Sequence, residues 1–96
     1  MAKMANGLCD NLLTCVFRCW DISAESVIVA PAMNTFMYEH PITEKQEKFL
    51  RETLKVKVLA TVEKTLMCGD TGMGAMAGVD TILDAVADFF RQKEAQ

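Results

Sequence analysis

Apolar residues along this chain fall into stretches of two different periods, separated by polar or glycine-rich breaks. Over residues 2–20, Met1, Met4, Ala5, Leu8, Leu12, Cys15 and Cys19 recur at helical spacing, which predicts one helix with a buried stripe. Leu13, Phe17 and Trp20 form a second apolar side of that helix. A helix apolar on two sides packs against its own domain and something more, which points to a subunit contact. Ser26 to Pro31 is a short continuous apolar run, the pattern of a strand buried on both faces in a parallel sheet. Thr43 to Leu54 reads as an exposed helix with Glu44–Lys48 and Glu47–Arg51 as i,i+4 pairs and Phe49, Leu50 and Leu54 on its inner edge. Val56 to Ala60 predicts a second strand. A last helix is expected from about Asp80, as N-cap, to Arg91, with Val79, Ile82, Leu83, Val86 and Phe90 facing inward.

Strands alternating with helices argue for an α/β fold with a parallel sheet. Two parallel strands make a poor sheet, because both outer edges are left open. The chain therefore reads as a single partial domain over residues 1–96, the later part of a larger doubly wound sheet or a chain that completes its sheet with a partner.

Composition narrows the function classes. The 96 residues are 51% hydrophobic and 24% charged, which suits one small globular unit. A net charge of −3 without a cluster of Lys and Arg leaves no footprint for nucleic acid. No run of 18 apolar residues predicts a membrane span, and residues 1–12 lack the order of a signal peptide. A cytoplasmic setting and free thiols follow as the expectation. Cys9, Cys15 and Cys19 read as small buried hydrophobes and no metal site is expected, since CxxC is absent and His40 is the one histidine.

Two stretches carry candidate chemistry, each placed after a predicted strand, where open α/β sheets bind ligands. In Pro31-Ala32-Met33-Asn34-Thr35-Phe36-Met37-Tyr38, the Asn34 amide offers donors that could hold a carboxylate, or could simply cap the turn. Met33 and Met37 add soft surface suited to a flat ring or to core packing. The second stretch, Met67 to Gly78, has four glycines in ten residues, which predicts a hinged loop and neither helix nor strand. Cys68 would be presented there beside Asp70. No Lys-Ser or GxGxxG follows, so a phosphate loop is not supported. His40, before Pro41, reads as a surface turn residue.

Three segments in order resemble the flavoprotein cysteine decarboxylases: ANGLCDNLLTC at 5–15, PAMNTFMYEHP at 31–41 and CGDTGMGAMA at 68–77. The first is similar to the helix after the family's Ser-Ala-Asn-Thr segment, the second to its PxMNxxMW motif, the third to its substrate clamp. The resemblance implies the C-terminal part of a flavodoxin-like, Rossmann-like doubly wound fold. It also implies FMN-dependent decarboxylation of phosphopantothenoylcysteine to phosphopantetheine in coenzyme A biosynthesis, and assembly as a homotrimer or with a complementing chain. By the same resemblance Asn34 would hold the substrate carboxylate and Cys68 would donate the final proton as a neutral thiol, with Asp70 helping to keep it protonated. Met67 and Met76 would contact substrate, and Ala32 and Met37 would contact flavin. Tyr38 stands where the motif has Trp, and Gly78 where the family often has Glu. The family's first strands, flavin-phosphate loop and catalytic His would lie outside this sequence, so His40 is not that His and the 96 residues alone are expected to bind no flavin. Two other readings stay open: a non-catalytic regulator like the family's phosphatase-inhibiting relatives, and a decarboxylase of a peptide's C-terminal cysteine.

Overall fold

The computed structural model describes residues 1–65 and 71–94. It is a mixed α/β structure. In chain order the elements are α1 (Ala2–Asn6), α2 (Leu12–Arg18), a 3-10 turn (Ile22–Ala24), β1 (Ile28–Val29), α3 (Thr35–Glu39), α4 (Pro41–Glu52), β2 (Lys57–Val58), β3 (Val62–Thr65), β4 (Thr71–Ala75) and α5 (Val79–Glu94).

The single helix expected over residues 2–20 is two helices, and local chemistry explains the break. Gly7 ends α1 in the left-handed conformation (φ 71°), and the Leu8 N–H closes back onto the Lys3 carbonyl at 2.9 Å. Asn11 then starts α2 with a reciprocal cap: its side-chain oxygen accepts from the Thr14 N–H at 2.9 Å, and the Thr14 hydroxyl accepts from the Asn11 N–H at 3.2 Å. With the helix broken, the expected stripe does not stay in register. Met1, Met4 and Ala5 are partly buried, whereas Leu8, Leu12, Cys15 and Cys19 are exposed, Leu12 at 82%. The three cysteines described are thus free and exposed, not buried. Cys15 donates to the Cys9 carbonyl at 3.4 Å; desolvation, then the neighbouring Cys9, push its thiol above the ordinary range.

Strands β1 and β2 pair in parallel, Ile28 opposite Lys57 and Val29 opposite Val58, as the apolar runs predicted. The Lys57 and Leu59 N–H groups donate to the Val27 and Val29 carbonyls, each at 2.9 Å. Between them α4 starts two residues earlier than expected, because Pro41 occupies its first turn, where the missing N–H costs nothing. Leu50, on its inner edge, is fully buried, and the Glu47–Arg51 pair forms at 3.5 Å. Lys55, in the left-handed conformation at φ 57°, turns the chain from α4 into β2. The core around β2 holds Leu59, Ala77 and Ala85, with Ile28, Ala30 and Ile82 packed on it.

Three expectations fail, wholly or in part, at the C-terminal end. The stretch read as a loop from Met67 to Gly78 contains a strand: β4 pairs antiparallel with β3, Val62 opposite Ala75 and Thr65 opposite Thr71, with a register shift between Val62 and Lys64. Of the residues of helix α5 expected to face inward, Ile82 alone does. Ile82, Ala85 and Phe89 turn inward, while Val79, Leu83, Val86 and Phe90 are exposed, Val79 at 67%. The helix begins at Val79, so Asp80 lies in its first turn and is not the cap. Both rows have helical spacing; the core takes the one whose Ala85 lets the helix approach Leu59 and Ala77 closely.

Candidate functional site

The chain leaves β1 through Ala30 and Pro31 and turns sharply into α3, which sets Ala32, Met33 and Asn34 past the carboxyl end of the strand. Asn34 is the N-cap of α3: its side-chain oxygen accepts from the Met37 N–H at 2.9 Å. The capping role weighed from sequence is therefore present. It uses the amide oxygen of an exposed side chain and leaves the amide nitrogen, with its two N–H donors, outside the cap. A cap of this kind also fixes the side-chain torsion, so the donors are presented in one direction.

Ala32, Asn34 and Met37 line one cleft of about 640 Å³, together with Met33, Phe36 and His40. Phe36 is 86% exposed at its rim. The floor is tied down by α4, where the Thr43 hydroxyl donates to the Met37 carbonyl and the His40 Nδ1 accepts from the Ile42 N–H at 3.2 Å. His40 is thus an exposed helix-capping turn residue. The cleft offers small and soft apolar surface to a planar ring, and one amide to an anion. Among the described residues that line it there is no Lys or Arg, so a ring fits here better than a phosphate does.

Strand β4 closes one side of this turn. The Met33 N–H donates to the Gly74 carbonyl at 2.8 Å, and the Thr35 hydroxyl donates to the Met73 carbonyl at 3.2 Å. Two glycines make this approach possible. A Cβ at Gly74, whose φ is 119°, would collide with the Met33 carbonyl, and one at Gly72 would collide with the Thr35 hydroxyl. Sequence reading took these glycines as hinges; they are close-approach points, and the alternating Gly-Met-Gly was the available signal for a strand. Met76 lies just beyond β4, half exposed, and does not line the Asn34 cleft. Met67, Cys68 and Asp70 lie outside the described residues. No cluster of metal ligands occurs among the described residues.

The Flavoprotein family model matches residues 1–91. A phosphopantothenoylcysteine decarboxylase of Glycine max, HAL3a, is 48% identical over all 96 residues, which cover 44% of that protein. The phosphopantothenoylcysteine decarboxylase of Mus musculus is 49% identical over 86 residues, 90% of this chain and 41% of that one. Among solved structures, a PPC decarboxylase mutant complexed with pantothenoylaminoethenethiol superposes with a TM-score of 0.87 at 43% identity, covering 94% of this chain and 48% of that one. The FMN binding protein AtHal3 superposes at 0.81 with 44% identity, covering 95% and 48%. The chain spans about half the length of the relatives it matches. Its match from residue 1 to residue 91 and these superpositions together make it a member of the Flavoprotein family.

Proposed function

We propose that this chain contributes the carboxylate-binding side of an FMN-dependent decarboxylase acting on phosphopantothenoylcysteine in coenzyme A biosynthesis. The observation that carries the reading is the state of Asn34: its amide oxygen is taken by the Met37 N–H, which leaves the amide nitrogen as the group it offers beside a cleft of soft apolar surface. Neutral donors hold a carboxylate while it is still attached, and do not stabilise its charge so strongly that loss of CO2 becomes harder. Ala32 and Met37 supply the surface against which a flavin ring would lie. When bound, FMN supplies the redox chemistry that makes the cysteinyl carbon able to accept the electrons released with CO2. Cys68 serves as the proton donor to the product carbon, as a neutral thiol, and Met67 and Met76 contribute substrate contacts beyond the residues that line the Asn34 cleft. The names of the relatives support the substrate, and the superposed complex of a PPC decarboxylase mutant supports a pantothenoyl thiol in this kind of site.

The working protein, on this reading, is a cytoplasmic homotrimer or an assembly with a complementing chain. Its support is the amount of apolar side chain left uncovered on α2 and α5, including Leu12, Leu13, Leu83 and Phe90. No helix among the described residues is long and apolar enough to cross a membrane.

The test is release of CO2 from phosphopantothenoylcysteine with added FMN, by the chain alone and by the chain combined with the first half of a relative such as the Glycine max protein. We expect the chain alone to retain no flavin, and the combination to bind FMN and release CO2. Stoichiometric FMN on the chain alone would overturn its dependence on residues outside it. Flavin binding by the combination without CO2 release would sink the decarboxylase reading and favour a regulatory protein.

A further inference from the structure

Asn34 is bracketed by β4. The residue before it donates its N–H to the Gly74 carbonyl, and the residue after it donates its hydroxyl to the Met73 carbonyl. The second of these bonds joins residues 38 apart in sequence and carries the Thr35 hydroxyl from the α3 turn to β4. Gly72 completes the seat. Its missing side chain leaves the space that the Thr35 Oγ1 and Cγ2 occupy, so Thr35 sits directly over the β4 backbone at Gly72. The cap to Met37 sets the torsion of the Asn34 side chain, but it moves with α3 as a unit and cannot fix where α3 stands.

We propose that Thr35 is a positioning residue: its bond to the Met73 carbonyl, seated over Gly72, sets the α3 turn against β4 and so fixes where the Asn34 amide meets the substrate carboxylate. The inference rests on the carboxylate-binding reading of Asn34. Removing the hydroxyl lets the turn shift relative to β4 while the helix cap and the parallel sheet stay intact.

Thr35→Val removes the hydroxyl at nearly constant shape, and Thr35→Ser restores it. Two measurements judge them. In amide hydrogen exchange, Thr35→Val should speed exchange at Met33 about fivefold, the equivalent of one ordinary hydrogen bond, and leave Leu59 in the sheet unchanged; Thr35→Ser should return to the parent rate. In the flavin-loaded decarboxylating protein, Thr35→Val should raise KM for the carboxylate substrate by a similar factor. It should leave the affinity for the decarboxylated thiol product unchanged, because the product has no group for Asn34 to hold. Equal acceleration at Met33 and Leu59 would show mere structural support. Equal weakening of substrate and product, or a Thr35→Val protein indistinguishable from the parent, would also overturn the proposal. A parent protein that releases no CO2 sinks the decarboxylase reading alone, and the exchange comparison still decides whether Thr35 sets the turn. A double-mutant cycle gives independent support: Gly72→Ala should be several-fold less damaging to Met33 protection in a Thr35→Ala background, where its Cβ no longer meets the hydroxyl.

Discussion

Gly74→Ala should lower the unfolding free energy of the chain by about 3 kcal/mol, while Gly78→Ala, four residues on, should be close to neutral. At Gly74 two penalties add. A φ of 119° lies where an L side chain is strained by about 1–3 kcal/mol, and the new Cβ would sit on the Met33 carbonyl, a backbone atom that cannot rotate aside. Relief requires β4 to lift from the turn, which breaks the Met33 N–H bond to the Gly74 carbonyl. At Gly78 a Cβ meets nothing within 4 Å. For a domain of this size each kcal/mol is worth about 4–8 °C, so the melting temperatures of the two variants should differ by more than about 10 °C. Circular dichroism melts of the pair measure this, and a gap under about 1 kcal/mol would mean that β4 does not pack as described.

The second large effect separates the two roles of Asn34. Asn34→Asp keeps an oxygen for the Met37 N–H and is as good a cap as asparagine, so stability should change by less than about 0.5 kcal/mol. On the proposed reading it also replaces the amide donors by a second anion facing the substrate carboxylate. Losing charge-assisted hydrogen bonds worth about 1.5–3 kcal/mol and adding repulsion should cut kcat/KM for CO2 release at least about a hundredfold. Asn34→Ala should lose comparable activity and also about 1 kcal/mol of stability, because the cap goes with the donors. Steady-state kinetics of both variants beside their melts make the comparison. Undiminished turnover by Asn34→Asp would leave Asn34 a cap and nothing more.

Much of this arrangement could be read from the amino acids, and the failures have identifiable causes. The parallel pair of β1 and β2 followed from two apolar runs of β-branched residues, and α4 from its charge pairs and inner edge around Leu50. The Asn34 turn followed from a proline-ended strand and a capping residue type. The hairpin of β3 and β4 was hidden because strand patterns are read from alternating side chains, and β4 puts glycine at two of its five positions. Those same glycines looked like flexibility, when their use is to let two backbones touch. The face of α5 was misjudged because the helix carries two apolar rows, and periodicity alone cannot say which row meets the core. The break between α1 and α2 was written in Gly7 and in the Asn11–Thr14 pair, and it was overridden by a hydrophobic repeat that runs on past it. Thr35 gave no signal of its own, because its partner is 38 residues away.

That separation has a kinetic meaning. Helix α4 and the β3–β4 hairpin close over short stretches of chain and can form early, whereas joining the α3 turn to β4 must first close a loop that costs about 3 kcal/mol in chain entropy. We expect the bonds that reward this closure to form in the late part of folding, with φ-values near zero for Thr35→Val in folding and unfolding kinetics. Mutations at this corner would then speed unfolding more than they slow folding. Corners that close late open first, at less than the full unfolding free energy. A carboxylate seated on Asn34 binds only the closed form, so it would hold this corner shut by mass action. On the proposed reading of Asn34, substrate binding and closure of this corner would be one equilibrium.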